Sequence, residues 1–319
     1  MRFIFFSFLA ILFGSAAAFA QSHSTEIGGQ TDNDSYLLKG SDRYYTDGVF
    51  IYYRHALPVY GGDANLLANK VLGFEIGQKI FNPQSGFVPG PEYIDRPFAG
   101  YLYVGAALNL LYKNESNLKL SAQLGVVGPG AHGEEVQSFI HRTFGFYKVN
   151  GWQYQIKNEA ELNLSAEYNK LIVRASWVDI SMANYARIGN GFTGAGAGPL
   201  VRIGLFNQLF HSVSTQSTVI RNEGFTPLHT QEIFFYYKPQ LNYVAYDATI
   251  QGGLFNHRDP NSLEITQDKE PFIFSQQVGI AFATTRFVVD AAAIYHTKDV
   301  KEMVRSQQWG SISAAYRFK

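Results

Sequence analysis

Hydrophobic and polar residues alternate with a period of two along much of the chain. In residues 118–126, one face carries only aliphatic side chains: Leu118, Leu120, Ala122, Leu124 and Val126. Residues 98–112 and 155–168 alternate in the same way, and so does the C-terminal stretch WGSISAAYRF. Alternation over nine to fourteen residues predicts strands with one face in lipid and the other in water.

About twelve such segments can be recognised, starting near residues 24, 47, 69, 98, 117, 155, 171, 193, 231, 271, 287 and 306. An even number of strands is typical of a single-chain bacterial barrel, in which closure leaves no strand edge unpaired in lipid. The predicted fold class is therefore all-β, a transmembrane antiparallel β-barrel of about twelve strands. Residues 80–97, 206–230 and 252–270 are predicted loops. The alternative is a soluble, secreted β-sandwich, but the strands of such proteins average about five or six residues.

The first twenty residues have the pattern of a signal peptide rather than of a folded segment. Arg2 forms a short positive region, Phe3 to Phe13 are apolar, and Ala18-Phe19-Ala20 provides an A-x-A cleavage site. We therefore expect a signal peptide at residues 1–20 and one barrel domain at residues 21–319. With no cysteine in the chain, neither a lipoprotein anchor nor a disulfide framework is expected.

Composition narrows the class of protein further. Twenty-six basic residues balance twenty-six acidic ones, so no charge excess favours nucleic acid as a partner. Beyond the first twenty residues, no run of eighteen apolar residues could form a membrane-spanning helix. Aromatic residues make up 15% of the chain, and an exported, aromatic-rich chain with alternating strands is typical of the outer membrane of a Gram-negative bacterium.

One segment, residues 128–148, has helical rather than strand periodicity. Its apolar residues are Val136, Phe139, Ile140 and Phe144. Gly128-Pro129-Gly130 can turn the chain before the helix, and Gly145 can end it. We expect a short amphipathic helix on an inter-strand loop, packed through its apolar face. Gln137 and His141 would then share one face, and His141 would be dispensable for packing. His141 is a candidate base, or an ordinary interfacial loop histidine.

A second cluster of polar residues lies where the first two strands meet. Asp32, Asn33 and Asp34 close the first strand, and Asp42, Thr46 and Asp47 open the second. The alternation of the following apolar residues places Thr46 on the side opposite to lipid. Oxygen ligands from two adjacent strand ends suit calcium. The alternative is an acidic connection whose residues only turn the chain.

At these positions the sequence resembles the outer-membrane lipid A 3′-O-deacylase family. The motifs that carry the resemblance are NDSYLLKGSDRYYTDG, GVVGPGAHGEEVQSFIHR and GWQYQIKNE, with weaker support from LHTQE. The family implies a twelve-stranded barrel with its active site between the barrel wall and a helix from an extracellular loop. It also implies calcium and a histidine as the catalytic elements. Some members carry an acidic residue six positions after this histidine, where this chain has Tyr147.

Carried over residue by residue, the resemblance implies these site residues. The catalytic residues would be His141, Asn33, Thr46 and Gln137, and the calcium ligands would be Asp34, Asn33 and Thr46. The implied activity is hydrolysis of the 3′-linked acyloxyacyl ester of lipid A by a histidine-activated water. The implied partners are lipid A or lipopolysaccharide and the lipids of the outer membrane, with the protein a monomer and its active site facing outward.

Two alternatives from other classes stay open at the level of the sequence. One is an outer-membrane phospholipase A-like acyl hydrolase with a serine nucleophile, which would need a His-x-Ser pairing on a strand that this chain lacks. The other is a non-catalytic small porin or structural barrel, whose acidic cluster would only line a mouth.

Overall fold

The computed structural model describes residues 23–38, 42–221, 226–256 and 261–319. The predicted signal peptide at residues 1–20 lies outside the described residues. Within them the chain forms twelve β-strands, three α-helices and several turns of 3-10 helix. None of the helices in the described part of the chain is long and apolar enough to span a membrane.

The strands account for most of the regular structure. They are β1 (Thr25–Asn33), β2 (Tyr45–Ala56), β3 (Leu67–Phe81), β4 (Ala99–Tyr112), β5 (Ser116–Val127), β6 (Glu159–Arg174), β7 (Val178–Gly189), β8 (Phe192–Leu205), β9 (Glu232–Asp247), β10 (Phe272–Ala283), β11 (Phe287–His296) and β12 (Gln307–Phe318). The helices are α1 (Asp63–Leu66), α2 (Gly133–Phe144) and α3 (Ala248–Gln251).

The sheet closes into a barrel. Each strand pairs with its neighbours in sequence, and β12 pairs with β1 from Thr25 opposite Phe318 to Asn33 opposite Gly310. Closure pairs every strand on both sides, so the barrel has no open sheet edge that would leave backbone groups unpaired in lipid. The predicted antiparallel barrel of about twelve strands is confirmed.

Two predicted strand starts, near residues 155 and 171, were wrong. Strand β6 begins at Glu159, because Ile156 is fully buried against Ala99 and Ala248 in a core beneath the loops rather than placed on the lipid face. The same strand then continues past residue 171 through a register shift between Leu171 and Val173. The next strand, β7, starts only at Val178.

Alternation along the strands separates an apolar outer surface from a polar interior. We call the exposed apolar side chains of the outer surface the apolar belt; it includes Ile27, Val49, Ile51, Phe74, Ile76 and Val104. The interior contains a cavity of about 590 Å³ lined by charged, amide and aromatic side chains, among them Lys79, Glu167, Arg187 and Trp309. Lipid around the barrel accounts for the apolar outer surface, and water inside it accounts for the polar interior.

The connections differ between the two ends of the barrel. At the end that carries Thr25 and Phe318, here called the termini end, the connections are 57–66, 113–115, 175–177, 206–231 and 284–286. At the opposite end, here called the loop end, they are 34–44, 82–98, 128–158, 190–191, 248–271 and 297–306. Bacterial barrels have short periplasmic turns and longer extracellular loops. At the termini end, three connections have three residues each and 57–66 has ten, so 206–231 is the one long exception.

The exception at the termini end is folded into the barrel. We call residues 206–221 the plug. Inward-facing side chains hold its backbone: Asn69 donates to the carbonyl oxygen of Val219 at 2.8 Å, and Asn109 donates to that of Thr215 at 2.8 Å. Arg202 donates to the Ser212 hydroxyl at 2.8 Å. Thr215 and Thr218 also line an interior cavity. The plug therefore occupies the termini end of the lumen.

At the loop end, two long connections fold down over the outer wall instead. Ile80 continues the outward alternation of β3, yet it is buried with Val88 and Ile94 of one loop and Val149 and Trp152 of another. This small core lies outside the barrel, at the ends of β3 and β4. It supports α2, which packs across the same two strands.

Candidate active site

Asn33 ties the end of β1 to the start of β2. Its Oδ1 accepts a hydrogen bond from the Ser35 backbone N–H at 2.7 Å, which caps the 3-10 helix Asp34–Leu37. Its Nδ2 donates to Oδ1 of Asp47, the residue opposite it in the register of the two strands. Both side chains are on the outer face of the wall, since they continue the alternation of Ile27 and Val49.

Asp34, just after β1, is hydrogen-bonded to the segment just before β2. The carboxylate is buried, and its Oδ2 accepts a hydrogen bond from the Arg43 backbone N–H at 3.1 Å. Asp34 and Asp42 are both close enough to Asp47 to act on it electrostatically. Three carboxylates therefore gather on the outer wall at the loop end.

Thr46 lies at a β-bulge. The register of β2 against β3 shifts between Tyr45 and Asp47, so these two side chains reach opposite sides of the wall. The hydroxyl of Tyr45 donates to Asp32 at 2.8 Å, and both residues line the interior cavity. The fully buried Thr46 donates through Oγ1 to Oδ1 of Asp42 at 3.3 Å.

Asp42 joins the strand ends to the helix. Its backbone has a positive φ of 42°, a left-handed conformation that aspartate tolerates better than most residues. One carboxylate oxygen accepts from Thr46, and the other lies 3.3 Å from Nε2 of His141. The structure thus brings His141 from α2 next to the acidic cluster.

The other ring nitrogen of His141 fixes how the imidazole is oriented. Nδ1 lies 2.6 Å from the backbone carbonyl oxygen of Tyr147, which can only accept a hydrogen bond. Nδ1 therefore carries the proton, and Nε2 is the nitrogen whose lone pair is available in the neutral imidazole. The Tyr147 ring supports this position from the side, in an edge contact with the imidazole at 4.8 Å between centroids.

The hydroxyl of Tyr147 lies close enough to the Asp42 carboxylate for the two groups to interact electrostatically. It accepts a hydrogen bond from the Gly86 backbone N–H at 3.2 Å. Burial, and then the interaction with Asp42, raise the pKa of Tyr147 above its ordinary value, so the hydroxyl stays protonated. Tyr147 thus contacts both the candidate base and the carboxylate beside it.

Gln137 lies one turn before His141 on the same face of α2, as the sequence predicted. Its Oε1 accepts from the Trp152 indole N–H at 2.9 Å. Its Nε2 is fully buried and makes no hydrogen bond to a described residue. A Cβ added at Gly86 would be 3.3 Å from this amide nitrogen and 2.7 Å from the Tyr147 hydroxyl. Gln137 therefore presents an unsatisfied donor beside Tyr147.

The packing face of α2 differs in part from the prediction: Val136 packs against the small core that contains Ile80 and Trp152, as expected, but the helix is buried mainly through other residues. The buried residues of the helix are Gly133, Gln137 and His141, whereas Phe139 and Phe144 are exposed. Gly133 packs directly on the backbone of Gly100, where a side chain would clash. The polar face is buried because Trp152, Tyr147 and Asp42 supply partners for it. His141 is consequently part of the packing of the helix as well as a candidate base.

Three other polar residues are not part of this site. Asp32 accepts hydrogen bonds from Tyr45 and Gln30 inside the barrel. His132 is exposed at the start of α2, where it lies 3.7 Å from Glu135. Ser212, which follows His211 in the sequence, belongs to the plug at the opposite end and donates to Glu232 at 2.7 Å.

The sequence analysis assigned no role to two side chains that hold the site together, Tyr147 and Trp152. Trp152 lies in the motif GWQYQIKNE, and Tyr147 was noted only as the residue six positions after His141. The signal that could have identified Tyr147 is its position, six residues after His141 and just past the glycine that ends the helix. A chain that reverses at Gly145 returns toward the last turn of the helix.

The oxygen donors of the cluster suit calcium chemically. Asp34, Asp42 and Asp47 place three carboxylates close together, with the Asn33 amide and the Thr46 hydroxyl beside them. Calcium takes such oxygen ligands in irregular geometry. No group of three or more His, Asp or Glu side chains is already arranged around a metal position in the described ranges. The donor types fit, and the carboxylates are at present turned toward protein partners.

Comparison with known proteins identifies the family. The family model described as outer membrane protein LpxR matches residues 4–318. The chain belongs to the LpxR family. The structure of LpxR from Salmonella typhimurium is similar to this chain with a TM-score of 0.74 and 22% identity, covering 92% of this chain and 100% of that one.

Other solved barrels share less with this member of the LpxR family. The β-domain of the Bordetella autotransporter BrkA has a TM-score of 0.46 and 11% identity, with 93% of this chain and 99% of that chain covered. The translocator domain of NalP from Neisseria meningitidis has a TM-score of 0.44 and 8% identity, with 98% and 92% covered. No curated protein matches the sequence. The chain is thus an outer membrane β-barrel protein of the LpxR family.

Proposed function

We propose that this protein is a lipid A deacylase that hydrolyses the 3′-linked acyloxyacyl ester of lipid A or lipopolysaccharide in the outer membrane. Membership of the LpxR family supports an enzyme acting on lipid A. The observation that carries the proposal is the arrangement of His141 between Tyr147 and Asp42 on the outer wall of the barrel. Hydrolysis of a membrane lipid needs a site on the lipid-facing side, and this one is on that side.

His141 would act as the general base. Because Nδ1 is bonded to the Tyr147 carbonyl oxygen, Nε2 can take a proton from water as the water oxygen attacks the ester carbonyl carbon. When the bond from that carbon to the ester oxygen breaks, the same proton passes to the departing alkoxide. Asp42, 3.3 Å from Nε2, is placed to stabilise the positive charge that the imidazole carries in between.

The remaining residues would position the reacting groups. Nε2 of Gln137 is a buried donor with a free hydrogen-bonding position, so it can orient water or an ester oxygen. Asn33 and Thr46 hold Asp47 and Asp42 in place at the strand ends. Calcium held by Asp34, with Asn33 and Thr46, would supply positive charge that stabilises the oxyanion of the reaction.

The orientation of the site supports action on the outer leaflet. The site lies at the loop end, and the long connections of bacterial barrels are extracellular. The two alternatives lack comparable support. The sequence lacks the His-x-Ser pairing that a serine mechanism would need, and the plug occupies the lumen that a porin would keep open.

Purified protein in mixed micelles with lipid A and calcium tests the proposal. We expect mass spectrometry to show loss of the 3′-linked acyloxyacyl group with the wild-type protein and unchanged lipid A with His141→Ala. Unchanged lipid A with both proteins, at a high calcium concentration, would contradict the proposed activity. Loss of a different acyl group would leave an acyl hydrolase but correct the bond that it cleaves.

A further inference from the structure

Two exposed phenylalanine rings lie at the end of α2, beside His141. Phe144 ends α2 with 69% of its side chain exposed, and Phe146 follows it with 58% exposed. Their rings stack at 6.0 Å between centroids and 26° between planes. The Phe146 ring also makes an edge contact with the His141 imidazole at 5.6 Å. An exposed aromatic pair that touches a candidate base is an unusual use of apolar surface.

The way α2 ends determines where these two rings lie. Gly145 has a φ of 72°, the left-handed conformation in which glycine commonly ends a helix. The chain then reverses, and the Phe146 backbone N–H donates to the carbonyl oxygen of His141 at 2.9 Å. This hydrogen bond returns the second ring to the last turn. The position of Phe146 is therefore fixed relative to His141.

The surroundings indicate what would cover the pair. The acidic cluster beside His141 includes Asp47, and Val49 of the apolar belt follows two residues later on the same outer face. Two strand residues span about 7 Å. Ile51 and Ile27 extend the belt further from the loop end, on β2 and β1. A lipid that sits against the belt can thus reach the site without leaving the outer surface of the barrel.

We propose that Phe144 and Phe146 form a binding site for an acyl chain of the substrate lipid, next to the ester that His141 acts upon. This inference rests on the proposed function and deepens it. A hydrocarbon chain needs an apolar surface and no hydrogen-bonding partners, which is what the stacked rings offer. The two rings continue the apolar belt up to His141. The acyl chain can therefore stay out of water while its ester bond lies next to Nε2 of the histidine.

The helix provides a matched control in Phe139. It is the same residue type on the same element, with 62% of its side chain exposed, but it belongs to neither the stacked pair nor the ring contact with His141. Replacement of Phe139 removes as much exposed aromatic surface without touching the proposed site. Effects common to all three phenylalanines can therefore be separated from effects of the pair.

Hydrolysis of 4-nitrophenyl butyrate and 4-nitrophenyl myristate in the same mixed micelles tests the site. For Phe144→Ala and Phe146→Ala, we expect kcat/KM for the long ester to fall by about tenfold more than for the short one, since lost apolar contact weakens binding of the longer chain. Phe139→Ala should leave the ratio of the two esters unchanged. Equal losses on both esters would overturn the proposal and make the rings supports of His141. An equal change of the ratio in Phe139→Ala would overturn it in favour of general contact with the micelle.

A binding measurement keeps the two proposals distinguishable. The chain has no cysteine, so a fluorophore can be attached at Lys148→Cys, an exposed position two residues after Phe146, in the full-length protein. A brominated fatty acid should quench this label at lower concentrations when both rings are present than in the same labelled protein carrying Phe144→Ala and Phe146→Ala, whereas Phe139→Ala should leave the quenching unchanged. Equal quenching with and without the two rings would overturn the acyl-chain site. Selective quenching without hydrolysis of any ester by the wild-type protein would retain the acyl-chain site and reject the proposed activity.

Discussion

The backbone carbonyl oxygen of Tyr147 lies 2.6 Å from Nδ1 of His141, while the hydroxyl of the same tyrosine interacts electrostatically with Asp42, the carboxylate beside Nε2. One residue thus orients the imidazole through its main chain and lies next to the neighbouring carboxylate through its side chain.

The two contacts of Tyr147 can be separated by Tyr147→Phe. The substitution keeps the carbonyl oxygen on His141 and the ring contact but removes the hydroxyl that interacts with Asp42. We expect kcat for lipid A hydrolysis to fall about tenfold, the usual effect of losing a polar partner of a charged group, with KM little changed. Unchanged kcat in a folded Tyr147→Phe protein would show that Asp42 is held well enough by Thr46 alone.

Removal of the proposed base, His141, should have a larger effect. His141→Ala is expected to lower turnover by about two to four orders of magnitude, the typical contribution of general acid–base catalysis. Because His141 is buried against Tyr147 and Asp42, its loss should also loosen α2. Heat-modifiable migration on gels would confirm that the barrel still folds.

His132→Ala is the matched control for that substitution. His132 is exposed at the other end of the same helix and contacts only Glu135 among the acidic residues described. We expect full activity from it. A loss in His132→Ala as large as that in His141→Ala would move the base to His132.

The strands were predictable from sequence because lipid and water impose a local rule. Every second residue of a strand such as β5 must suit one of the two solvents, and the alternation of Leu118, Leu120 and Leu124 reports it directly. The rule fails where a strand end is covered by protein. Ile156 is apolar because it fills the core beneath the loops. It continues the alternation of β6 by coincidence, so the sequence predicted too early a start for that strand.

The site was predictable only as far as its motifs extend. The family resemblance placed His141 and Asp34 in one site, but the buried face of α2 depended on partners distant in sequence. Gln137 is buried because Trp152 donates to it, and Phe139 is exposed because none of the described residues covers it. The plug escaped prediction for the same reason, since its partners Asn69 and Asn109 lie on β3 and β4.

Close packing around Gly86 gives a further test of the site. A methyl group at this position would be 2.7 Å from the Tyr147 hydroxyl and 3.3 Å from the Gln137 amide nitrogen. Gly86→Ala should therefore displace Tyr147 and lower activity by about tenfold or more, as small misplacements in an active site do. Gly62→Ala, where a methyl group would meet nothing within 4 Å, should be fully active in the same assay.

The plug predicts that the barrel does not conduct ions. Its backbone is held by buried side chains, including Asn69, Asn109 and Arg202. We expect no stable conductance from the wild-type protein in planar lipid bilayers. A variant in which residues 209–219 are replaced by a short glycine-serine linker should form open channels. Porin-like conductance by the wild-type protein would contradict the packing of this segment.

Calcium dependence tests the acidic cluster at the ends of β1 and β2. Excess chelator should abolish hydrolysis, and stepwise calcium should restore it. Magnesium should restore little, since it demands near-octahedral geometry and sheds water reluctantly. Asp34→Ala should shift the calcium needed for half-maximal activity upward by at least about tenfold, because it removes a buried carboxylate from the cluster. Asp63→Ala, on α1 at the termini end, should leave the calcium requirement unchanged. Full hydrolysis by the wild-type protein in excess chelator, together with normal activity of Asp34→Ala, would reduce the cluster to a polar connection between two strands.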